Sequence, residues 1–394
     1  MSFNDDWNKV KLGEIGNITT GDTNTQDAVI DGDYPLFDRS KKIKKSNKYL
    51  FDEEAVIVPG EGKEFKPRYY SGKFDLHQRA YAIWSNSDSL LNKFLYYVMF
   101  LKNEILKKRA VGSTVKSLRM GLFEELDIPI PSLNEQKTII NILSSFDNKI
   151  ENNNKMNKTL EEMAQTIYKS WFVDFEPFQD GEFVESKLGE IPEQWKVKKI
   201  KEISDVVLGK TPSTRKEENY GEKYPFVRIP EMHDKIFIVE TEKKLSEIGH
   251  KSQENKLIPE NSIMVSCIGT VGLVSLNFKP SHTNQQINTI VCDDELVEYL
   301  YFRMKNMRRK LIKIGSSGTT MGNINKGTFQ KIKVVIPDKD TLIEFHKTVK
   351  PLFNRIKLNL QENQALKELR DSLLLKLMSG EIRVPLDEDA KEVN

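Results

Sequence analysis

Hydrophobic residues recur at intervals of three and four positions in two stretches of the chain, one after Pro131 and one after Pro337. This spacing predicts two amphipathic helices whose apolar stripes follow a heptad repeat, because seven residues make nearly two helical turns. The first stripe consists of Ile139, Leu143, Phe146, Ile150, Asn153, Asn157, Leu160, Ala164, Ile167 and Trp171. The second consists of Phe345, Val349, Leu352, Ile356, Asn359, Asn363, Leu366, Arg370, Leu373 and Leu377.

Two asparagines interrupt each stripe at the same place, and they predict how the helices pair. If the helices run antiparallel, Asn153 faces Asn363 and Asn157 faces Asn359. A buried amide weakens an apolar stripe, but it favours the alignment in which it meets another amide. We therefore expect an antiparallel coiled coil of about 33 residues per helix, or roughly 50 Å, that holds two domains apart. The alternative is that each helix packs on its own domain.

Two residues of the second helix fit this scheme poorly. Arg370 would face Phe146, unless its side chain extends to solvent or the helix shifts locally to present Leu369. Pro351 is expected to kink or restart the helix, because proline lacks the amide hydrogen that a helix interior uses.

The sequence upstream of each helix is also repeated. Trp7, Leu12, Glu14, Ile15, Ile18 and Gly21 reappear 188 residues later as Trp195, Ile200, Glu202, Ile203, Val206 and Gly209. Gly112, Thr114, Leu118, Phe123, Ile130 and Pro131 reappear 206 residues later as Gly318, Thr320, Ile324, Phe329, Ile336 and Pro337. The ends of the two copies match and their centres differ, which indicates one scaffold that holds two different working surfaces.

Each copy has the pattern of a mixed α/β domain. Short β-branched runs at residues 55–58 and 262–265 predict strands, and residues 90–108 and 296–314 predict helices. The expected order is a first domain at 1–131, the first long helix at 132–176, a linker and second domain at 177–337, the second long helix at 338–380 and a tail at 381–394.

Composition limits the class of protein. A chain of 394 residues fits two or three domains, and a net charge of +2 means that any basic surface must be local. No apolar run approaches the roughly 20 residues of a membrane span, and the opening residues lack the pattern of a secretion signal. Cys267 and Cys292 are too few for a disulfide framework, so we expect a protein of the reducing cytoplasm.

Motifs for catalysis are absent from the sequence. There is no Asp/Asn-Pro-Pro-aromatic motif of an amino-methyltransferase. The residues around Lys210 lack the first glycine of a phosphate-binding loop, and the five histidines lack the spacing of metal ligands. Glu61 and Lys63 resemble the end of a nuclease motif, but Asp52 precedes Glu61 by only nine residues. We expect no metal site and no catalytic residue in this chain.

Three segments resemble those of the specificity subunits of type I restriction-modification systems. They are residues 169–178 (KSWFVDFEPF), which close the first helix, residues 188–195 (LGEIPEQW), which open the second copy, and residues 369–383 (LRDSLLLKLMSGEIR). Leu375 stands where many relatives would have proline, which predicts a straighter helix end.

This resemblance implies two target-recognition domains that each read one half of an asymmetric, split DNA site. The helices would set the gap between the half-sites. It also implies two methyltransferase subunits and two restriction-translocase subunits as partners. S-adenosylmethionine, ATP and Mg would bind to those partners, and no cofactor would bind to this chain.

Residues for such DNA contacts follow from their chemistry. Lys, Arg and hydroxyl groups contact phosphates, whereas Arg, Lys, Asn and Gln read base edges. In the first domain they cluster at residues 41–45, in the loop 60–68 (GEGKEFKPR), at 77–79 and in the loop 112–119 (GSTVKSLR). The candidates there are Lys41, Lys42, Lys44, Lys45, Lys63, Lys66, Arg68, Gln78, Arg79, Ser113, Thr114, Lys116 and Arg119.

The second domain repeats two of these features, at residues 284–286 and at 318–326 (GTTMGNINK). The candidates there are Lys210, Arg215, Lys216, Gln285, Gln286, Thr319, Thr320, Asn323, Asn325 and Lys326. The alternative for all of them is an ordinary polar turn or solvated charged face.

Three other functions stay open at this point. In the first, the partner chain is a single fused methyltransferase-nuclease, which this sequence does not distinguish from a type I set. A stand-alone nuclease requires metal-dependent cleavage by the isolated chain. A coiled-coil scaffold predicts no DNA sequence preference.

Overall fold

The computed structural model describes residues 3–40, 42–316 and 322–384. It divides into two compact units, and each is mixed α/β, as the sequence predicts. Unit 1 comprises Met1–Ile150 and Ala365–Asn394, and unit 2 comprises Glu151–Gln364. The domain boundaries predicted from the sequence stay a prediction. No helix in the described ranges is long and apolar enough to cross a membrane.

Unit 1 is built on a six-stranded sheet. The strands of the whole unit are β1 Asn8–Lys11, β2 Gly16–Thr20, β3 Tyr34–Phe37, β4 Lys44–Ser46, β5 Phe51–Pro59, β6 Arg68–Leu76, β7 Ala80–Ser85 and β8 Asp127–Ile130. Its shorter helices are α1 Leu12–Ile15, α2 Asn92–Arg109 and α3 Met120–Glu124. The large sheet has the order β2-β7-β5-β6-β3-β4, and β1 pairs with β8.

The larger of two buried clusters in unit 1 lies between this sheet and α2. The predicted β-branched run falls in β5, where Val56 and Val58 are buried against Phe94 and Val98 of the helix. Because side chains alternate along a strand, Ala55 and Ile57 face the other side of the sheet, where they are buried in a second cluster with Phe37 and Phe74. The basic residues in the last turn of α2 stabilise the helix, because their positive charge lies at the negative end of the helix dipole.

Unit 2 has more strands. They are β9 Phe183–Ser186, β10 Gly189–Pro192, β11 Lys196–Lys199, β12 Asp205–Leu208, β13 Tyr220–Gly221, β14 Tyr224–Val227, β15 Phe237–Ile238, β16 Lys243–Leu245, β17 Ile263–Ser266, β18 Val274–Asn277, β19 His282–Thr283, β20 Ile287–Val291 and β21 Lys333–Ile336. Four sheets result, with the orders β12-β20-β17-β18-β15, β13-β16-β14-β19, β11-β21 and β10-β9.

The helices of unit 2 differ in one respect from the prediction. They are α5 Ile229–Met232, α6 Glu247–Lys251, α7 Val297–Asn306, α8 Arg308–Ser316 and α9 Lys326–Gln330, together with the second long helix. The prediction of a single helix over residues 296–314 is wrong, because the helix is interrupted at Met307, between α7 and α8. Met307 and Leu311 are both buried, so the break serves the packing of the core.

The two long helices are present near their predicted positions. Helix α4 spans Leu133–Phe172 and begins with a capping box, in which Ser132 and Glu135 exchange side-chain to backbone hydrogen bonds. Helix α10 spans Lys339–Ser379 and continues through Pro351. Of the two expected outcomes, the restart at Pro351 is therefore wrong, and the kink stays a prediction.

The asparagines of these helices meet inside unit 2. Asn153 Nδ2 donates to Asn363 Oδ1 at 2.9 Å, and Asn359 Nδ2 donates to Asn157 Oδ1 at 2.8 Å. All four side chains are buried. From the first pair to the second, the residue number increases in α4 (Asn153 to Asn157) and decreases in α10 (Asn363 to Asn359). These two segments therefore run in opposite directions within unit 2.

Arg370 lies in unit 1 and has a local partner that the heptad pattern does not show. Its Nη1 contacts Asp147 Oδ1 at 2.6 Å, and its guanidinium lies 5.3 Å from the centroid of the Phe100 ring. Asp147 also accepts from the Tyr97 hydroxyl at 2.7 Å. The suggested local shift to Leu369 is wrong, because that side chain is 51% exposed.

Candidate nucleic-acid interface

Three loops predicted to contact DNA are joined by backbone hydrogen bonds in unit 1. The Gly60 amide donates to the carbonyl of Arg79 at 2.9 Å, and the Leu118 amide donates to the carbonyl of Gly60 at 2.8 Å. The Gly62 amide donates to the carbonyl of Lys116 at 2.9 Å. The loop after β5, the turn before β7 and the glycine-hydroxyl loop therefore form one surface, although they are far apart in sequence.

Unit 2 contains the same three bonds at the corresponding positions. The Cys267 amide donates to the carbonyl of Gln286 at 2.8 Å, and the Ile324 amide donates to that of Cys267 at 2.9 Å. The Gly269 amide donates to the carbonyl of Gly322 at 3.1 Å. Each residue lies 206 or 207 positions after its counterpart in unit 1. The repeat is thus a repeat of backbone contacts, on which different side chains are displayed.

The repeated glycines Gly21 and Gly209 allow close packing beside these loops. A Cβ at Gly21 would lie 1.7 Å from the carbonyl oxygen of Leu76, and one at Gly209 would lie 2.1 Å from that of Asn284. No side chain fits such distances, so each position requires glycine. This explains why the sequence repeat keeps a glycine there.

Most of the candidate side chains of unit 1 are exposed and free to contact a ligand. Those classed as exposed are Lys42, Lys45, Lys63, Lys66, Gln78, Arg79, Ser113, Thr114, Lys116 and Arg119. Lys41 lies outside the described residues. The Gln78 amide donates to Asn24 Oδ1 at 2.7 Å, which orients it at the edge of the same surface.

Two candidates of unit 1 have structural partners. Lys44 contacts the buried carboxylate of Asp38 at 2.7 Å, and Arg68 donates to the carbonyl of Ser40 at 2.6 Å. Burial alone would raise the pKa of Asp38, but the Lys44 ammonium and hydrogen bonds from Ser40 lower it. Lys44 and Arg68 therefore fix the chain between β3 and β4, whether or not they also reach DNA.

Sequence reasoning missed Arg39, and it considered Glu61 only as the possible end of a nuclease motif. Glu61 Oε1 lies 2.6 Å from Nη1 of Arg79, and its Oε2 lies 3.1 Å from Nη1 of Arg39. The carboxylate is mostly covered, whereas both arginines are more than half exposed. Arg39 lies two residues after the end of β3, and Glu61 lies two residues after the end of β5, so no sequence spacing linked them.

The candidates of unit 2 are also mainly at the surface. Lys210, Arg215, Lys216, Gln285, Asn323 and Asn325 are exposed, and Gln286 and Lys326 are half-buried. Thr319 and Thr320 lie outside the described residues. Asn325 caps α9, because its Oδ1 accepts from the Thr328 amide at 2.9 Å.

In unit 2, hydrogen-bonded amide side chains stand where unit 1 has the ion pair between Glu61 and Arg79. Thr211 Oγ1 donates to Gln285 Oε1, and Asn284 Nδ2 donates to Gln286 Oε1 at 2.9 Å. The Gln286 backbone amide in turn donates to Asn284 Oδ1 at 3.2 Å. This surface therefore offers oriented amide groups, where unit 1 offers guanidinium groups.

The geometry gives no support to nuclease chemistry at Glu61. Both of its carboxylate oxygens contact arginine, and the positive charge of two guanidinium groups beside the carboxylate disfavours a metal cation there. Within the described residues, no group of three or more His, Cys, Asp or Glu side chains is arranged to hold a metal.

Comparison with known proteins agrees with the repeat. A family model described as the type I restriction modification DNA specificity domain matches residues 4–162 and 192–368. The HindI specificity subunit of Haemophilus influenzae is 33% identical, covering 87% of this chain and 88% of that protein. The MjaIX specificity subunit of Methanocaldococcus jannaschii is 30% identical, covering 96% of this chain and 94% of that protein.

A solved structure supports the fold. The S subunit of a type I restriction-modification system from M. genitalium superposes with a TM-score of 0.57 at 20% identity, covering 96% of this chain and 98% of that chain. The sequence matches span both copies of the repeat, and the segments that suggested the family fall within or beside them. The chain therefore belongs to the specificity subunits of type I restriction-modification systems.

Proposed function

We propose that this chain reads an asymmetric, bipartite DNA site and directs partner methyltransferase and restriction subunits to it. One observation carries the proposal: the same three backbone hydrogen bonds join the surface loops in each unit, while the side chains on those loops differ. A shared frame with different exposed groups suits two readers that recognise two different half-sites.

The proposed division of labour follows the repeat. Residues 1–131 form one target-recognition domain and residues 177–337 include the other. Residues 132–176 and 338–380 form an antiparallel coiled coil that sets the distance between half-sites. The asparagine pairs support this register, since amides that meet in an apolar seam favour one alignment over its neighbours. Two readers on a fixed spacer suit half-sites about one DNA turn apart.

Within each domain, the exposed lysines neutralise phosphates and the oriented arginine or amide groups read base edges. Phosphate contacts give affinity that weakens with salt, while base contacts discriminate between sequences. The exposed Lys63, Lys66 and Lys116 lie on loops joined to the one that carries Arg79, so both kinds of contact can form together.

Catalysis belongs to the partners in this proposal. Two methyltransferase subunits with S-adenosylmethionine, and two restriction-translocase subunits with ATP and Mg, act where this chain binds. The chain itself contributes no catalytic residue and holds no cofactor. The outward faces of α4 and α10 are the surfaces proposed for the partners, because the inward faces contact each other. A cytoplasmic location fits the free thiols of Cys267 and Cys292.

The test is single-molecule methylation sequencing of DNA from cells that carry the partner methyltransferase, with and without this chain. A split, asymmetric methylated motif that disappears without the chain supports the proposal. An unchanged methylation pattern, with a stable and active partner present, contradicts it and favours a scaffold or nuclease.

A chimera tests the independence of the two readers. Residues 22–111 are exchanged for those of a relative with a different target. One half of the methylated motif should change while the other half and the gap stay the same. A change in both halves contradicts independent readers.

A further inference from the structure

Glu61 and Arg79 lie on the joined loops of unit 1 and form a charged cluster with Arg39. We propose that Arg79 reads a guanine in the first half-site and that Glu61 is its positioning residue. This assignment rests on the function proposed above. It adds the base that one side chain recognises and the residue that prepares that side chain for the contact.

The carboxylate of Glu61 needs an explanation on a surface that faces DNA. A lone carboxylate there would repel phosphates, but Glu61 is only 13% exposed and contacts Arg39 and Arg79 with separate oxygens. Two positive charges therefore surround one negative charge, and the cluster as a whole attracts an anionic duplex. The burial of Glu61 places it behind the arginines as a support.

Arg79 is held at several points. Its backbone amide donates to His77 Nδ1 at 2.9 Å, and its carbonyl accepts from the Gly60 amide at 2.9 Å. Its Nη1 is held by Glu61 at 2.6 Å, while the side chain remains 57% exposed. An arginine fixed in this way loses little conformational freedom on binding, and its exposure leaves the remaining donors accessible from solvent.

Guanine is the base that suits a fixed guanidinium. Its O6 and N7 atoms are adjacent acceptors in the major groove, and arginine bonds to both at once. Such a paired contact demands a defined orientation, which Glu61 supplies. A phosphate contact demands less, and the exposed lysines Lys63, Lys66 and Lys116 suffice for it because their charge is mobile.

Unit 2 lacks this cluster at the corresponding positions. Ile268 stands at the position of Glu61, and Gln286 stands at that of Arg79. The Gln286 side chain accepts from Asn284 instead of pairing with a carboxylate. An effect that arises from the Glu61–Arg79 pair must therefore be confined to one half of the DNA site, which provides an internal control.

The experiment uses the full chain in cells with its partner methyltransferase, and compares Arg79→Ala, Arg79→Lys and Glu61→Gln. The methylated motif is read by single-molecule sequencing, and rates are measured on duplexes that carry each base at every position of the first half-site. Arg79→Ala should reduce the preference for guanine at one position by about tenfold or more. Glu61→Gln should weaken the preference at that same position by a smaller factor, and the second half-site should stay unchanged.

Arg79→Lys separates base readout from charge. It keeps the positive charge but replaces the rigid, planar pair of donors with a flexible ammonium group, so we expect overall methylation to survive while the guanine preference falls in part. Lys63→Ala is the matched control for a phosphate contact, and it should slow methylation equally on all duplexes. A uniform loss with Arg79→Ala, or no change at any base, overturns the proposal.

The experiment distinguishes a failure of the guanine assignment from misfolding of a variant and from a failure of the proposed function. If Arg79→Ala lowers the melting temperature strongly, the conservative Arg79→Lys and Glu61→Gln variants decide instead. If the unaltered chain directs no split motif, the proposed function fails and the guanine assignment fails with it. If the motif is present but its bases are unchanged in all three variants, only the assignment fails.

Discussion

The side-chain amide of Asn153 donates a hydrogen bond to the amide oxygen of Asn363 across 2.9 Å, between two long helices. Both side chains are buried, so replacing Asn153 leaves the Asn363 amide oxygen without this donor, although Asn363 Nδ2 still donates to Asn154 Oδ1. We expect Asn153→Leu to reduce the free energy of unfolding by about 1–3 kcal/mol, measured by urea denaturation. The double variant with Asn363→Leu should lose less than the sum of the two single variants, because both polar groups are then removed together.

The control for this cycle is Met156→Leu on an exposed position of the same helix, which should change stability by less than about 0.5 kcal/mol. Additive effects of Asn153→Leu and Asn363→Leu would show that the two amides do not act as a pair.

Removing the charge of Arg370 should destabilise unit 1. Arg370→Met keeps a long apolar side chain over Phe100 but leaves the largely buried Asp147 without its cation. We expect a loss of about 2–3 kcal/mol in thermal or urea unfolding, somewhat less than for a fully buried pair. Lys376→Met is the control, because that lysine pairs with Glu381 at the surface. Equal effects of the two substitutions would contradict a structural role for the Arg370–Asp147 pair.

The buried position of His282 should make the stability of the folded chain depend on pH. Its ring is buried against His250 and Gln253, and burial lowers its pKa from 6.5 to about 4. Between those two values the unfolded chain binds a proton that the folded chain does not, so stability should fall as the pH falls from 6.5 to 4 and level off below. Urea unfolding across this range should show the fall, on the order of 2–3 kcal/mol for this group.

The variant His282→Asn tests the source of that fall. It should be less stable at neutral pH, because the contacts with His250 and Gln253 change. Its stability should nevertheless depend less on pH between 4 and 6.5 than that of the unaltered chain. Parallel curves for the two proteins would mean that His282 binds its proton equally in both states.

Gly21 offers a test of close packing. Gly21→Ala places a methyl group 1.7 Å from the carbonyl oxygen of Leu76, so the strand must move. We expect a loss of about 1–3 kcal/mol, with weaker recognition of the first half-site. Gly121→Ala is the control, because its methyl group would meet only the Glu124 side chain, at 3.7 Å. A tolerated alanine at Gly21 would show that the backbone can open there without loss.

Sequence periodicity predicted the long helices and placed Asn153 opposite Asn363, because helical spacing is a local property that a stripe of residues displays directly. The repeat likewise indicated Gly21 and Gly209, whose positions depend on backbone crowding rather than on side-chain chemistry. The family followed from short segments at the ends of the repeat.

Contacts between distant strands were not predictable in the same way. Arg39 and Glu61 meet because β3 joins the sheet beside β6, and nothing in the spacing of 22 residues shows that pairing. Asp147 lies next to a stripe position and outside the heptad pattern, so the partner of Arg370 was not apparent. The break at Met307 depends on how one helix turn fits the core, which periodicity does not resolve.

The backbone bonds that join the surface loops have an evolutionary consequence. They use amide and carbonyl groups that almost every residue possesses, so most substitutions on these loops leave the frame intact. New DNA targets can therefore arise by point mutation or by recombination between the matched ends of the repeat, with little loss of folding stability. Under the proposed function, a lineage can change the sequence that is methylated while keeping the same partner subunits.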